Sequence, residues 1–166
     1  MKKVIVGFSS HPSLFSRAIK FVTNSKVSHV YIRIPIPEYN ENMVFQASGL
    51  AVNYCNYNLF IKSNTVHEEY EIEIDDETAA LGEMMRIIEA GKPYSMKEIL
   101  GLAWVLAMRG LGVRISNPFR DGSQSFICVE LAMLSLGQGK DSENTTPEEF
   151  RLWCEKNGDL IYKRID

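Results

Sequence analysis

Apolar and polar positions alternate most cleanly over residues 27–34. Ser28, Val30, Ile32 and Ile34 fall on one side of an extended segment, and Val27, His29, Tyr31 and Arg33 on the other. This predicts a strand that carries its polar functional groups on one face. Residues 3–8 form a short β-branched run ahead of it, and Pro35 and Pro37 are expected to close it before a polar loop over 35–42. Residues 43–47 read as the neighbouring strand, ending at Ser48 and Gly49, with 51–54 continuing the hairpin. In 66–74, Val66, Glu68, Tyr70, Ile72 and Ile74 alternate with His67, Glu69, Glu71 and Glu73, which predicts a strand with one strongly solvated acidic face.

Helical spacing takes over elsewhere. Ser13 is placed to cap a helix carrying Leu14, Phe15, Ala18, Ile19 and Val22 and ending near Thr23 and Asn24. Residues 76–90 form an amphipathic helix stopped by Gly91 and Pro93, and 96–109 a more apolar one stopped by Gly110 and Gly112. Residues 114–124 read as a loop, and 128–136 have the composition of a short buried helix with Cys128 in its first turn. Thr146, Pro147 and Glu149 form a strong helix start, with Thr as cap and Pro at the first position. That helix runs to about 156, and 159–165 closes the chain as a strand. Strand and helix signals interleave without repeat or linker, so the expected architecture is α+β, one domain over 1–166.

Composition agrees with one buried core: 166 residues, 45% hydrophobic and 23% charged. The net charge of -3 leaves no basic surplus to neutralise a phosphate backbone, so a nucleic-acid partner is not expected. The apolar run after Lys2 and Lys3 is too short for a signal-peptide core, and the longest one, 99–108, falls short of the ~20 residues that span a bilayer. The expected location is therefore cytoplasmic, without stable membrane insertion and with release by lysis or another route left open.

Cys55, Cys128 and Cys154 are odd in number and contain no close pair, which argues against a disulfide framework. With His11, His29 and His67 they also lack the spacing of a structural zinc site. No phosphate-binding glycine loop occurs, so neither a metal nor an organic cofactor is expected.

The chemistry that remains is a thiol and an imidazole. A cysteine in a first helical turn meets unsatisfied backbone N–H groups, which stabilise its thiolate. Cys128 is the cysteine so placed, and His29 on a polar strand face is a suitable base for it. Taken singly, each residue is better explained by a core role. His11 and His67 read as surface groups. Cys154 reads as structural, and so does Cys55 in the aromatic stretch 53–60, read as a loop.

The pair gains weight from its surroundings. The segments FSRAIKFVTNSKVSHVYIRI, VFQASGLAV, GKPYSMKEILGL, FICVELAMLSL and NTTPEEF, in that order, resemble the circularly permuted branch of the NlpC-type papain-like cysteine peptidase superfamily, which includes lecithin retinol acyltransferase-like proteins. The resemblance implies a papain-like fold, an antiparallel sheet packed against a helix that bears the nucleophile, with the histidine preceding the cysteine. It implies Cys128 as nucleophile, His29 as general base and Gln46 as the residue that orients the imidazole.

Gln46 departs from the glutamate often found there. A neutral third member fixes the tautomer without stabilising the imidazolium by charge. Tyr31, two residues beyond His29, is expected either to line the cleft near the oxyanion or to pack as an aromatic on the sheet. The expected function is cofactor-free hydrolysis of an amide or acyl bond through a Cys128 thioester, on a peptide, peptidoglycan-type or acyl substrate. The rival is a catalytically weak or inactive binding or inhibitory module on the same fold.

Overall fold

The computed structural model describes residues 2–36, 40–48, 51–91, 101, 104–105, 108, 112–113, 115–116, 118, 128–138 and 145–165. The elements are β1 (Lys2–Ser10), α1 (Leu14–Thr23), β2 (His29–Ile36), β3 (Glu41–Ser48), β4 (Ala51–Asn56), α2 (Tyr57–Ser63), β5 (Thr65–Ile74), α3 (Glu77–Glu89), α4 (Cys128–Ser135), α5 (Pro147–Asn157) and β6 (Asp159–Lys163). The strands form one antiparallel sheet in the order β4-β3-β2-β1-β5-β6. The expected helix over 96–109 and the loop over 114–124 fall largely outside the described residues.

Local chemistry sets the helix ends as expected. Ser13 accepts the Ser16 N–H ahead of α1, and Asn24 closes that helix in the left-handed region at φ 48°. Asp76 caps α3, and Thr146 and Glu149 form a reciprocal capping box on α5.

The sheet buries both faces. Val4, Val6 and Phe8 of β1 join Val30, Ile32 and Ile34 of β2, Tyr70 and Ile72 of β5, and the apolar sides of α3, α4 and α5 in the larger cluster. On the other face Tyr31, Val44, Phe60 and Val66 form a smaller cluster beneath α2. Fully burying side chains of this size contributes roughly 1.5–3 kcal/mol each, so alternation along β2 is a choice between two cores, not between core and water.

Three differences from the sequence expectations have local causes. First, β2 runs through Pro35, which faces Asn42 of β3 and lies beyond the β1 pairing that ends at Arg33, so β1 needs no N–H from it. Second, the stretch expected as an aromatic loop is the end of β4 followed by α2, capped by Asn56 and pinned through Phe60, whose ring centroid lies 4.6 Å from that of Tyr31.

Third, the acidic face of β5 is not simply solvated. Glu69 is buried and takes Arg33 through two N–H···O bonds of 3.0 and 2.7 Å, while Glu68 takes Arg151 and Lys163, each at 3.0 Å. His67 is likewise half-buried and hydrogen-bonded to Ser10 at 2.8 Å. Opposite charges brought from β2, α5 and β6 make this burial tolerable.

Candidate active site

His29 is the first residue of β2 and opposes Ser9 of β1. Two residues on, Tyr31 opposes Gln46 of β3, and Gln46 opposes Asn53 of β4. Directly paired residues share a face, and so do residues two apart, so His29, Gln46 and Asn53 stand together on the α2 side of the sheet.

These three side chains form a directed relay. The carbonyls of Ser48 and Ala51 can only accept, so they take the Asn53 Nδ2–H groups, at 3.4 and 3.1 Å. Asn53 Oδ1 is then left to accept the Gln46 Nε2–H at 3.1 Å, and Gln46 Oε1 accepts the His29 Nε2–H at 2.8 Å. The backbone thereby selects the His29 tautomer, with the proton on Nε2 and Nδ1 unprotonated. Burial pushes the His29 pKa down to about 4, against the Gln46 hydrogen bond that favours the charged ring, with nearby His11 lowering it further. At neutral pH the ring is an uncharged acceptor.

A cleft of about 410 Å³ opens over His29 and Gln46. Its wall mixes small polar side chains with apolar surface: Ser13, Ser16, Ser28 and Ser48 contribute beside Ile19, and Ser16 and Ser28 share a hydrogen bond. His11, exposed as expected, stands on the rim, its Nδ1 accepting the Ser13 N–H at 3.2 Å.

Cys128 opens α4 and is 6% exposed, within the larger cluster. Burial pushes its thiol up to about 11. The backbone N–H groups of Val30, Val129 and Cys128 itself face the sulfur and pull the other way. The Val30 amide follows His29 directly in the chain, so the sulfur sits beside the backbone of the histidine strand. Cys128 is not among the described side chains lining the cleft, and among the described residues no hydrogen bond joins it to the His29 ring.

The structure thus joins His29 to Gln46 directly, while Cys128 packs in the larger cluster on the opposite face of the sheet, against the backbone of the same strand. Tyr31 takes the aromatic-packing role: it is buried, its hydroxyl donates to Glu69 Oε1 at 2.7 Å, and burial beside that carboxylate raises its pKa. Cys154 is buried in the core and Cys55 half-buried, 3.8 Å from Gln46 Nε2, and all three cysteines are free. Asn53 was missed by reading the sequence alone. The hairpin expected over 43–54 contained the signal, since its register sets Asn53 against Gln46.

No protein-family model and no curated protein matches this chain. Among solved structures, the chain is similar to the crystal structure of metalloprotein yiiX from Escherichia coli O157:H7, DUF1105. The two are 18% identical with a TM-score of 0.53, over 99% of this chain and 97% of that one. At that identity the likeness is one of fold.

Proposed function

We propose that this chain is a cysteine hydrolase of the permuted NlpC-type papain-like kind, cleaving an amide or acyl bond with Cys128 as nucleophile, His29 as base and Gln46 as orienter. The observation that carries the reading is the His29–Gln46 bond, because it leaves Nδ1 as the proton acceptor; the reaction further requires that the His29 ring and the Cys128 sulfur, which lie on opposite faces of β2 here, be brought together. Both partners rest uncharged, so proton transfer accompanies attack. Nδ1 takes the thiol proton as sulfur adds to the carbonyl carbon, and the tetrahedral oxyanion meets backbone N–H groups at the start of α4. Collapse expels the amine or alcohol, which receives the proton from His29, and leaves a Cys128 thioester. Water deprotonated by the same ring then releases the acid and restores the thiol.

The fold neighbour from Escherichia coli is described as a metalloprotein. In this chain no three His, Cys, Asp or Glu side chains converge among the described residues, and the proposed reaction uses thiol chemistry alone.

A second reading, a binding or inhibitory module on the same fold, is favoured by one observation: the Cys128 thiol is held well above its ordinary range. Iodoacetamide labelling at pH 7, located by peptide mass spectrometry, separates the two. Hydrolysis requires that Cys128 react faster than Cys55 and Cys154 and lose that advantage in His29→Ala. A Cys128 that labels no faster than Cys154, with or without His29, assigns the chain to the second reading.

A further inference from the structure

Cations and exposed apolar side chains share one face of this molecule. On α1, Leu14, Arg17, Ala18 and Phe21 fall at i, i+3, i+4 and i+7 and point outward, while Ser16 and Ile19 are buried. Leu14 is 81% exposed and Phe21 87%. On α2, Leu59 is 59% and Ile61 45% exposed, beside Lys62. Between the two helices lies a basin of about 380 Å³ bordered by Arg17 and Lys20 from α1 and by Ile61 and Lys62 from α2.

Elsewhere Lys3, Arg33, Arg86, Arg151 and Lys163 each hold a carboxylate. Arg17, Lys20 and Lys62 form no ion pair among the described residues, and no described residue bordering the basin is acidic. The chain as a whole carries -3, so this face opposes the bulk charge.

We infer that the α1–α2 face docks the protein onto an anionic lipid bilayer, with Leu14, Phe21 and Ile61 entering the headgroup and acyl boundary and Arg17, Lys20 and Lys62 taking lipid phosphates. Three apolar side chains protruding from convex helix surfaces need a partner that deforms around them, which a bilayer does and a folded protein surface without matching pockets does not. The cations select negative headgroups. Docking is peripheral, since no described helix is long and apolar enough to cross a membrane. The cleft shares His11, Ser63 and Asn64 with the basin, so its mouth would open at the lipid surface. The inference stands apart from whether Cys128 turns over.

The test is sedimentation of the full chain with vesicles of equimolar phosphatidylglycerol and phosphatidylcholine, against phosphatidylcholine alone, at about 0.1 M salt. The protein should bind the anionic vesicles and not the neutral ones. Replacing the three cations (R17Q/K20Q/K62Q) should weaken binding roughly a hundredfold, about fivefold per charge. L14S/F21S should weaken it roughly tenfold or more. Phe21→Trp supplies a readout that keeps the face apolar: its emission should shift to the blue on anionic vesicles and be quenched by brominated lipid. Absence of binding to the anionic vesicles, or binding unchanged by both sets of substitutions in variants that unfold at the wild-type temperature, overturns the inference. Capture of soluble polyglutamate that survives L14S/F21S would assign the face to an acidic protein partner instead.

Discussion

Gln46 Oε1 accepts the Nε2–H of His29 at 2.8 Å, and the sense of that bond is dictated from β4, where Asn53 is itself oriented by backbone carbonyls. A carboxylate at position 46 would face its own oxygen towards Asn53 Oδ1, where the Gln46 amide now donates. The neutral glutamine and Asn53 are therefore a matched pair, and the departure from glutamate has a structural partner.

Gln46→Glu should raise the His29 pKa from about 4 by about 1–3 units, because a carboxylate beside the ring favours the imidazolium. Titration of the His29 ring proton by NMR reads this directly. Asn53→Ala should cost about 1 kcal/mol and free the Gln46 amide to turn, giving mixed His29 tautomers in ring-nitrogen shifts. A single unchanged tautomer would remove Asn53 from the relay.

Stability should fall with acidification through His29. Its folded pKa lies below the unfolded value of about 6.5, so the neutral ring's contribution is complete above that value and is lost as pH falls through about 4. Urea unfolding at pH 7 and 4.5 should show on the order of 2–3 kcal/mol of loss from this group. In His29→Gln that component of the pH dependence should vanish, and an equal loss in the variant would rule His29 out as its source.

Gly7 of β1 opposes Tyr31, and a Cβ at Gly7 would overlap the tyrosine ring. Gly7→Ala should destabilise by about 3 kcal/mol, because the crowded ring also carries Phe60 and the hydrogen bond to Glu69. In a Tyr31→Ala background the same change should cost little. A double-mutant cycle with coupling near zero would show that the ring is not what excludes the methyl group.

Arg33→Ala should cost about 3–5 kcal/mol, since it leaves the buried Glu69 carboxylate without its bidentate partner. Arg33→Met combined with Glu69→Leu should recover most of that loss in thermal unfolding. If the double variant is no better than the single one, a cost other than the stranded charge dominates.

Features decided within a few residues of chain were legible in the order of amino acids alone. Alternation marks β2 and its two faces, Ser13 and Thr146 set helix starts through their own side chains, and the first-turn position of Cys128 follows from composition. Folding decides whatever depends on which distant residues meet. Glu69 looked solvated because its neighbours in sequence are acidic, and it is buried because Arg33 arrives from another strand. Residues 57–63 are helical where Phe60 packs onto Tyr31 on the same face of the sheet. The His29 tautomer is set by the carbonyls of Ser48 and Ala51, on the next two strands. Caps and periodicity act over one turn or two residues, whereas desolvation and hydrogen-bond direction depend on pairings that exist only once the chain has folded.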